Sequence, residues 1–411
     1  KMKRTIKLAV VAALALGATS AFATNGATMI GYGAKSFGMG GTGIGVGHGA
    51  ESALANPAMI TTIKGKNEVS FGGTVFMPDI ETTNDLTGVG GASGTGESKS
   101  DFFVIPSVSL ASKVNDNFYW GIGMWGTGGL GVDFRNDSNE DMMKMVTALQ
   151  TMQFGVPLAY TNSGFTVAAT PIVQYSSLDI NYQMPAAFGG TEVGSGVAQD
   201  VAVGYNLGLA YVTNGLTLGA VYKSKIKFDI QNVLDSAIGA MTNLGQAPAY
   251  SQDEMATPAE YGVGISYTTA GHTLAIDYKN IAWSDAEVYQ DFGWEDQDVF
   301  AIGYEYKTDK WAARAGYQYA KGAVQDNSGK GLYLDTNNPG LTNTFNLLGF
   351  PGTQESHITL GGTYAFNETI SLDVAAVFGL ENKETFTNFG GADITNKHSE
   401  QGYSVQLNYA F

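Results

Sequence analysis

The 411-residue chain has no cysteine, which removes disulfide frameworks and thiolate metal sites together. Its four histidines (His48, His272, His357, His398) lie in unrelated segments without ligand spacing. Basic residues are scarce, 22 Lys and Arg against 38 Asp and Glu for a net charge of −16. A nucleic-acid partner needs a basic face and is excluded on this balance. Beyond the N-terminus no segment approaches the ~20 apolar residues of a membrane helix. If the chain spans a membrane it must do so as a closed barrel, the other structure that satisfies its own backbone in lipid.

Glycine is what the chain has in excess: 55 residues, about 13% against a usual ~7%. At the N-terminus, Lys1, Lys3, Arg4 and Lys7 precede the apolar run Leu8–Leu16 and a small-residue site at Ala21-Phe22-Ala23. These are the parts of a secretory signal, so residues 1–23 are expected to be removed. Removal takes four bases and no acids, moving the net charge to −20. Ser36–Ile60 follows, with Gly38, Gly40, Gly41, Gly43, Gly45, Gly47 and Gly49, and is stopped by Asn56-Pro57-Ala58. A residue before proline is pushed out of the α region, and a coil this poor in side chains suits packing inside another structure.

After this coil, apolar residues alternate with small or polar ones in fourteen segments. They begin near Glu68–Met77, Asp101–Ser112, Phe118–Gly126, Leu149–Tyr160, Phe165–Ile180, Asp200–Val212 and Leu216–Ile230. They continue near Met255–Thr268, His272–Ser284, Asp298–Lys307, Trp311–Ala320, Glu355–Phe366, Ile370–Leu380 and Gly402–Phe411. Short turns, such as Thr213–Gly215, alternate with long connectors, such as Pro78–Ser100, Thr127–Ala148 and Lys321–Gln354. Outer-membrane barrels are built this way, with short turns on the periplasmic side and long loops outside. Phe300, Ile302, Tyr304 and Tyr306 would face lipid, as would Tyr403, Val405, Leu407, Tyr409 and Phe411. Tyr119, Trp120, Trp283, Trp311, Tyr364 and Phe366 fit interfacial girdles.

The Gly-rich coil ending in Asn-Pro-Ala resembles the hatch of the FadL/TodX family of outer-membrane channels for long-chain fatty acids and other hydrophobic compounds. Trp120-Gly121-Ile122-Gly123 through Gly129-Leu130-Gly131-Val132-Asp133-Phe134, Tyr222–Asp229, Pro258-Ala259-Glu260 and Ala282-Trp283-Ser284 extend the resemblance. It implies an all-β fold, a transmembrane antiparallel barrel of about 14 strands plugged by an N-terminal hatch. The expected division is a leader at 1–23, a hatch at 24–64 and a barrel at 65–411. In that family the third strand is kinked and opens a lateral gap. Here it carries Gly121, Gly123, Gly126, Gly128 and Gly129, and glycine within a strand marks a bulge or close approach.

Gly38–Gly43 formally satisfies G-x-G-x-x-G but lacks the preceding strand of a nucleotide site. No serine stands in a nucleophile context, so no enzyme, cofactor or metal is expected. Charges on inward strand positions (Lys223, Lys225, Lys227, Glu260, Asp277, Lys279, Glu305, Arg314, Asp373) read in two ways. They are ion pairs between wall and hatch, or one or two bases meet a substrate carboxylate, with Lys225 and Arg314 the candidates. The long loops are apolar: Met142, Met143 and Met145 in one, Leu234 and Ile238 at helical spacing in another, Phe345 among leucines in a third. Such surface captures a ligand or packs on itself. The expected function is passive passage of fatty acids or other hydrophobic molecules, captured by these loops, past lipopolysaccharide and sideways into the bilayer, through a monomer. The alternatives are a general porin and a surface adhesin or receptor.

Overall fold

The computed structural model describes residues 25–411; the expected leader lies outside the described residues. Fourteen antiparallel strands form one closed barrel. They are β1 (Asn67–Asp85), β2 (Phe103–Lys113), β3 (Phe118–Asp133), β4 in two segments (Val146–Gly155 and Leu158–Asn162), β5 (Phe165–Gln183), β6 (Ala198–Thr213) and β7 (Leu216–Lys223). The second half comprises β8 (Glu260–Thr269), β9 (His272–Ile281), β10 (Gln297–Lys307), β11 (Trp311–Ala320), β12 (Ser356–Ala365), β13 (Ile370–Thr387) and β14 (Asp393–Ala410). Each strand pairs with its neighbours in sequence, and β1 closes the ring on β14 from Glu68↔Ala410 to Asn84↔Ile394.

The period-2 alternation is realised in space. Phe300, Ile302, Tyr304, Tyr403, Val405, Leu407 and Tyr409 are exposed on the outer surface, while Ser404, Gln406 and Asn408 are buried inward. Trp120, Trp311, Tyr364 and Phe366 are exposed as a girdle requires, but Tyr119 and Trp283 are buried. Trp283 faces into the barrel mouth and belongs to the site described below.

Several segments differ from the sequence expectation for reasons of backbone chemistry. β1 runs on past Pro78 to Asp85 instead of ending at Met77. Pro78 pairs with Glu400 of β14 and falls between Phe76 and Glu81, where β1 has no ladder partner on its other side. Proline is tolerated in a strand at such an edge. β3 likewise continues past Gly126 to Asp133, and β4 is interrupted at Val156-Pro157. The segments expected at Leu216–Ile230 and Met255–Thr268 both break. β7 stops at Lys223 and β8 starts after Pro258-Ala259, while Ile226–Asp229 pairs with Glu254–Thr257 in a separate two-stranded ribbon. Ile226 and Phe228 are therefore buried in the mouth and do not face lipid.

Residues 25–64 fill the lumen. They form short helices at Ala34–Gly38 (α1) and Ser52–Ala55 (α2) joined by turns, with Met29, Ile30, Phe37, Leu54, Met59 and Ile60 buried. Glycine on both sides lets plug and wall backbones meet: a side chain at Gly38 would stand 2.9 Å from the Gly361 Cα on β12. Over the opposite mouth the long loops and the helix Val233–Asn243 (α3) bury one apolar cluster with Met142, Met145, Leu234, Ile238 and Phe345. The apolar loop residues thus pack on one another.

Candidate transport pathway

The plug is held to the wall by groups that the inward strand positions supply. The Asp277 carboxylate on β9 accepts from the consecutive amides of Gly43, Ile44 and Gly45 at 2.7, 2.7 and 3.0 Å, a concave nest of N–H groups around an anion. The Asn56 side chain donates to Ile44 O at 2.9 Å and to Leu209 O of β6 at 3.1 Å, and accepts from Ala58 N at 3.0 Å. Pro57 starts the following turn, where its missing N–H costs nothing. Gln318 of β11 donates to Ile30 O and Gly40 O at 3.1 and 3.0 Å. Lys35 bridges Glu51 at 2.9 Å and Asp373 at 3.4 Å, and Arg314 bridges Glu305 at 2.6 Å and Asp373 at 3.6 Å. Arg314 is thereby taken up in the wall-to-plug network. The Gly38–Gly43 segment presses on wall backbone rather than shaping a phosphate loop.

Among the loops lies an apolar cavity lined by Leu178, Ile180, Leu234, Met255, Phe292 and Trp294 with their neighbours. Leu234 reaches it from α3. Ile238 and Phe345 stand behind this lining, Phe345 edge-on to Tyr182 with centroids 5.8 Å apart, and the Tyr182 hydroxyl donates to Ala237 O at 2.6 Å. Met142 and Met145 pack in the same cluster away from the cavity wall. Lys225 lies at the loop base, its Nζ 2.7 Å from Asp285 O and 3.3 Å from Glu287 Oε1. Lys227 reaches the same Glu287 oxygen at 2.6 Å. Burial works against the Glu287 carboxylate, but hydrogen bonds from Lys227, its own backbone and Lys225 outweigh it and hold its pKa below the ordinary range.

Below this cavity, between ribbon, wall and plug, is a second one with a polar floor. Tyr32, Thr127, Asn206, Lys223 and Glu260 line it. Lys223 Nζ is 3.1 Å from Glu260, 3.3 Å from the Tyr32 hydroxyl and 4.6 Å above the Tyr32 ring. Alternation along one long strand made Lys223, Lys225 and Lys227 equivalent. The break after Lys223 leaves it alone inside, and no residue pattern announced that break beyond Pro258 in the partner segment.

The barrel wall is not continuous beside this inner cavity. The β2–β3 ladder runs from Lys113↔Tyr119 to Ser107↔Trp125 and stops. β2 stays with β1 as far as Phe103, and β3 stays with β4 as far as Asp133. Above the parting, the connector ahead of β2 reaches the end of β3, Lys99 N donating to Asp133 O at 2.8 Å. The parting starts at a bulge: Gly126 pairs with Met152 and Gly128 with Thr151, so Thr127 is the extra residue. A bulge bends its strand and disrupts the ladder. The plug's first residues fill the breach from within, Gly129 N donating to Ala27 O at 3.0 Å and Met29 N to Thr127 O at 3.2 Å. A side chain at Gly128 would collide with Ala27 O, and one at Gly126 would stand 2.6 Å from Ile105 Cγ2. Gly121 and Gly123 lie lower, in the paired part of β3; the Trp125 ring covers Gly123.

A family model described as outer membrane protein transport protein (OMPP1/FadL/TodX) matches residues 8–332 of the chain. The chain belongs to this FadL/TodX family. It is 24% identical to the long-chain fatty acid transport protein of Escherichia coli O6:H1 (strain CFT073), across 90% of this chain and 92% of the relative. A shorter match, 42% identical over 85 residues, is to an uncharacterized protein in the phosphoenolpyruvate carboxykinase gene 5′ region of Chlorobium limicola, and it spans 42% of that protein and 20% of this one. A Pseudomonas aeruginosa FadL homologue has the same fold (TM-score 0.70, 16% identity, 94% of this chain and 100% of that one). So does the P. putida toluene transporter TodX (TM-score 0.65, 20% identity, 93% and 99%). The FadL/TodX protein described here is thus an outer-membrane barrel that transports hydrophobic compounds. The plugged lumen and the family together set aside a general porin.

Proposed function

We propose that a hydrophobic molecule enters the outer apolar cavity, descends to the inner one, and leaves sideways through the breach between β2 and β3. One observation carries this reading: β3 parts from β2 at Thr127 beside the inner cavity, and the plug residues Ala27 and Met29 are bonded to β3 at that parting. Burying apolar surface is worth ~25 cal/mol per Å², which favours loading from water without an energy source. Leu234 contacts the ligand; Met142, Met145, Ile238 and Phe345 hold the wall behind it. Lys223 receives a carboxylate where the ligand has one, Lys225 fixes the loop base, and Arg314 anchors the plug. Asn56, Pro57 and Ala58 hold the plug in register, and Gly126, Gly128 and Gly129 shape the exit, with Gly121 and Gly123 below it. The protein works as a monomer that carries its cargo past lipopolysaccharide.

The test is uptake of labelled palmitate and toluene by cells lacking other such transporters, with and without this protein, against a hydrophilic sugar of similar mass. The reading expects faster entry of both hydrophobic probes and no change for the sugar. Equal acceleration of the sugar, or no acceleration of either probe, contradicts it.

A further inference from the structure

The outer and inner cavities meet at one side chain. Among the described residues, Tyr289 alone lines both. It is wedged between Trp283, which borders the inner cavity, and Trp294, which borders the outer one, with ring centroids 4.6 and 4.7 Å away. Trp283 and Trp294 are themselves 5.0 Å apart. Rings at these separations are in contact, so nothing passes between them without a ring moving. The ribbon continues the partition, Met255 turning to the outer cavity and its neighbour Ala256 to the inner, as successive strand residues do.

The three rings are not held alike. Trp283 Nε1 donates to Gln297 Oε1 at 3.4 Å, and Trp294 Nε1 to Asn346 Oδ1 at 3.0 Å. The Tyr289 hydroxyl has no hydrogen-bond partner among the described residues, so packing alone positions its ring. It follows Val288, whose φ of 74° is a conformation that β-branched residues rarely adopt. The strained turn is pinned from both sides, by Glu287 to Lys227 at 2.6 Å and by the Tyr250 hydroxyl to Asp291 at 2.9 Å. A loop fixed at its flanks, carrying one untethered ring against two tethered ones, is built to move that ring and little else.

We infer that Tyr289 is a selectivity gate: its ring yields to narrow apolar molecules, an alkyl chain or a single aromatic ring, and holds back fused polycyclic ones. This rests on the two-cavity pathway proposed above. The experiment compares uptake of palmitate, toluene and pyrene by cells carrying the full-length protein. In Tyr289→Ala and in Trp294→Ala, the ratio of pyrene to palmitate uptake should rise about tenfold, the scale on which pocket size discriminates. Tyr289→Trp, with a larger ring, should instead slow palmitate and toluene; unchanged rates in that variant count against the gate even if the alanine variants fail to fold. Heat-modifiable migration identifies the folded variants. Folded alanine variants whose ratio stays within about twofold of the parent would overturn the gate. That failure differs from failure of the pathway itself, in which the parent protein carries neither palmitate nor toluene faster than cells without it.

Discussion

At the scale of single residues, one short polar side chain has more consequence than its size suggests. Through its side chain, Asn56 hydrogen-bonds both plug and wall. Asn56→Ala leaves the Ile44 and Leu209 carbonyls without its donors, and an unmet buried group costs ~1–3 kcal/mol. The barrel should still form, since its ladder is untouched, but the plug should loosen. Protease cleavage within residues 25–64, at a rate raised severalfold in a heat-modifiable protein, is the expected result. Lys223→Gln keeps a donor toward Glu260 while removing the charge. Palmitate should bind about tenfold more weakly, a loss of ~1.4 kcal/mol, while toluene, without a carboxylate, is unaffected; equal loss of both would show damage rather than recognition. The Glu287 pair makes a pH prediction. Its pKa in the fold is depressed by Lys227 and Lys225, so the stabilisation is complete above the unfolded carboxylate value of ~4.3 and fades only as pH falls through the folded value. Ligand capture should therefore be level from neutral pH to about 5 and weaken in stronger acid. Glu287→Gln should weaken capture at neutral pH and flatten that acid decline.

At the scale of elements, alternation was legible because it is repeated fourteen times, and each strand must turn apolar side chains to lipid. What alternation cannot report is where a strand changes partner. Lys223 and Lys225 are two residues apart on one apparent face, yet the first lies in a cavity and the second at a loop base, because β7 ends between them. Trp283 looked like a girdle residue from its place at a strand end; its burial follows from the fold of Asp285–Trp294 back over the mouth. The glycine run in β3 was visible, but the position of the extra residue, Thr127, depends on the register with β4 and on a plug segment about a hundred residues earlier. Gly128→Val tests that junction. The new side chain meets Ala27 O and should drive the plug's first residues off the breach. Outer-cavity binding should persist, since no loop residue is touched, while lateral uptake changes; equal effects on binding and uptake would contradict the separation of the two steps.

At the scale of the whole molecule, the barrel wall is parted between β2 and β3, where its own N-terminal segment stoppers it, and the inner cavity borders that place. The absence of cysteine allows the central claim to be tested with a single cross-link. A Cβ on Gly126 would stand 3.8 Å from the Ile105 Cβ across the parting of β2 and β3, the usual Cβ separation of a disulfide. Ile105→Cys with Gly126→Cys should thus lock the breach when oxidised and free it when reduced, in one protein and without altering the loops. The decisive measurement is palmitate uptake by cells carrying this double variant, before and after reduction, alongside palmitate binding by the purified protein in both states. Lateral release predicts uptake that falls to the level of cells without the protein when the lock is closed and recovers on reduction, with binding unchanged. Full uptake through the closed lock would contradict it.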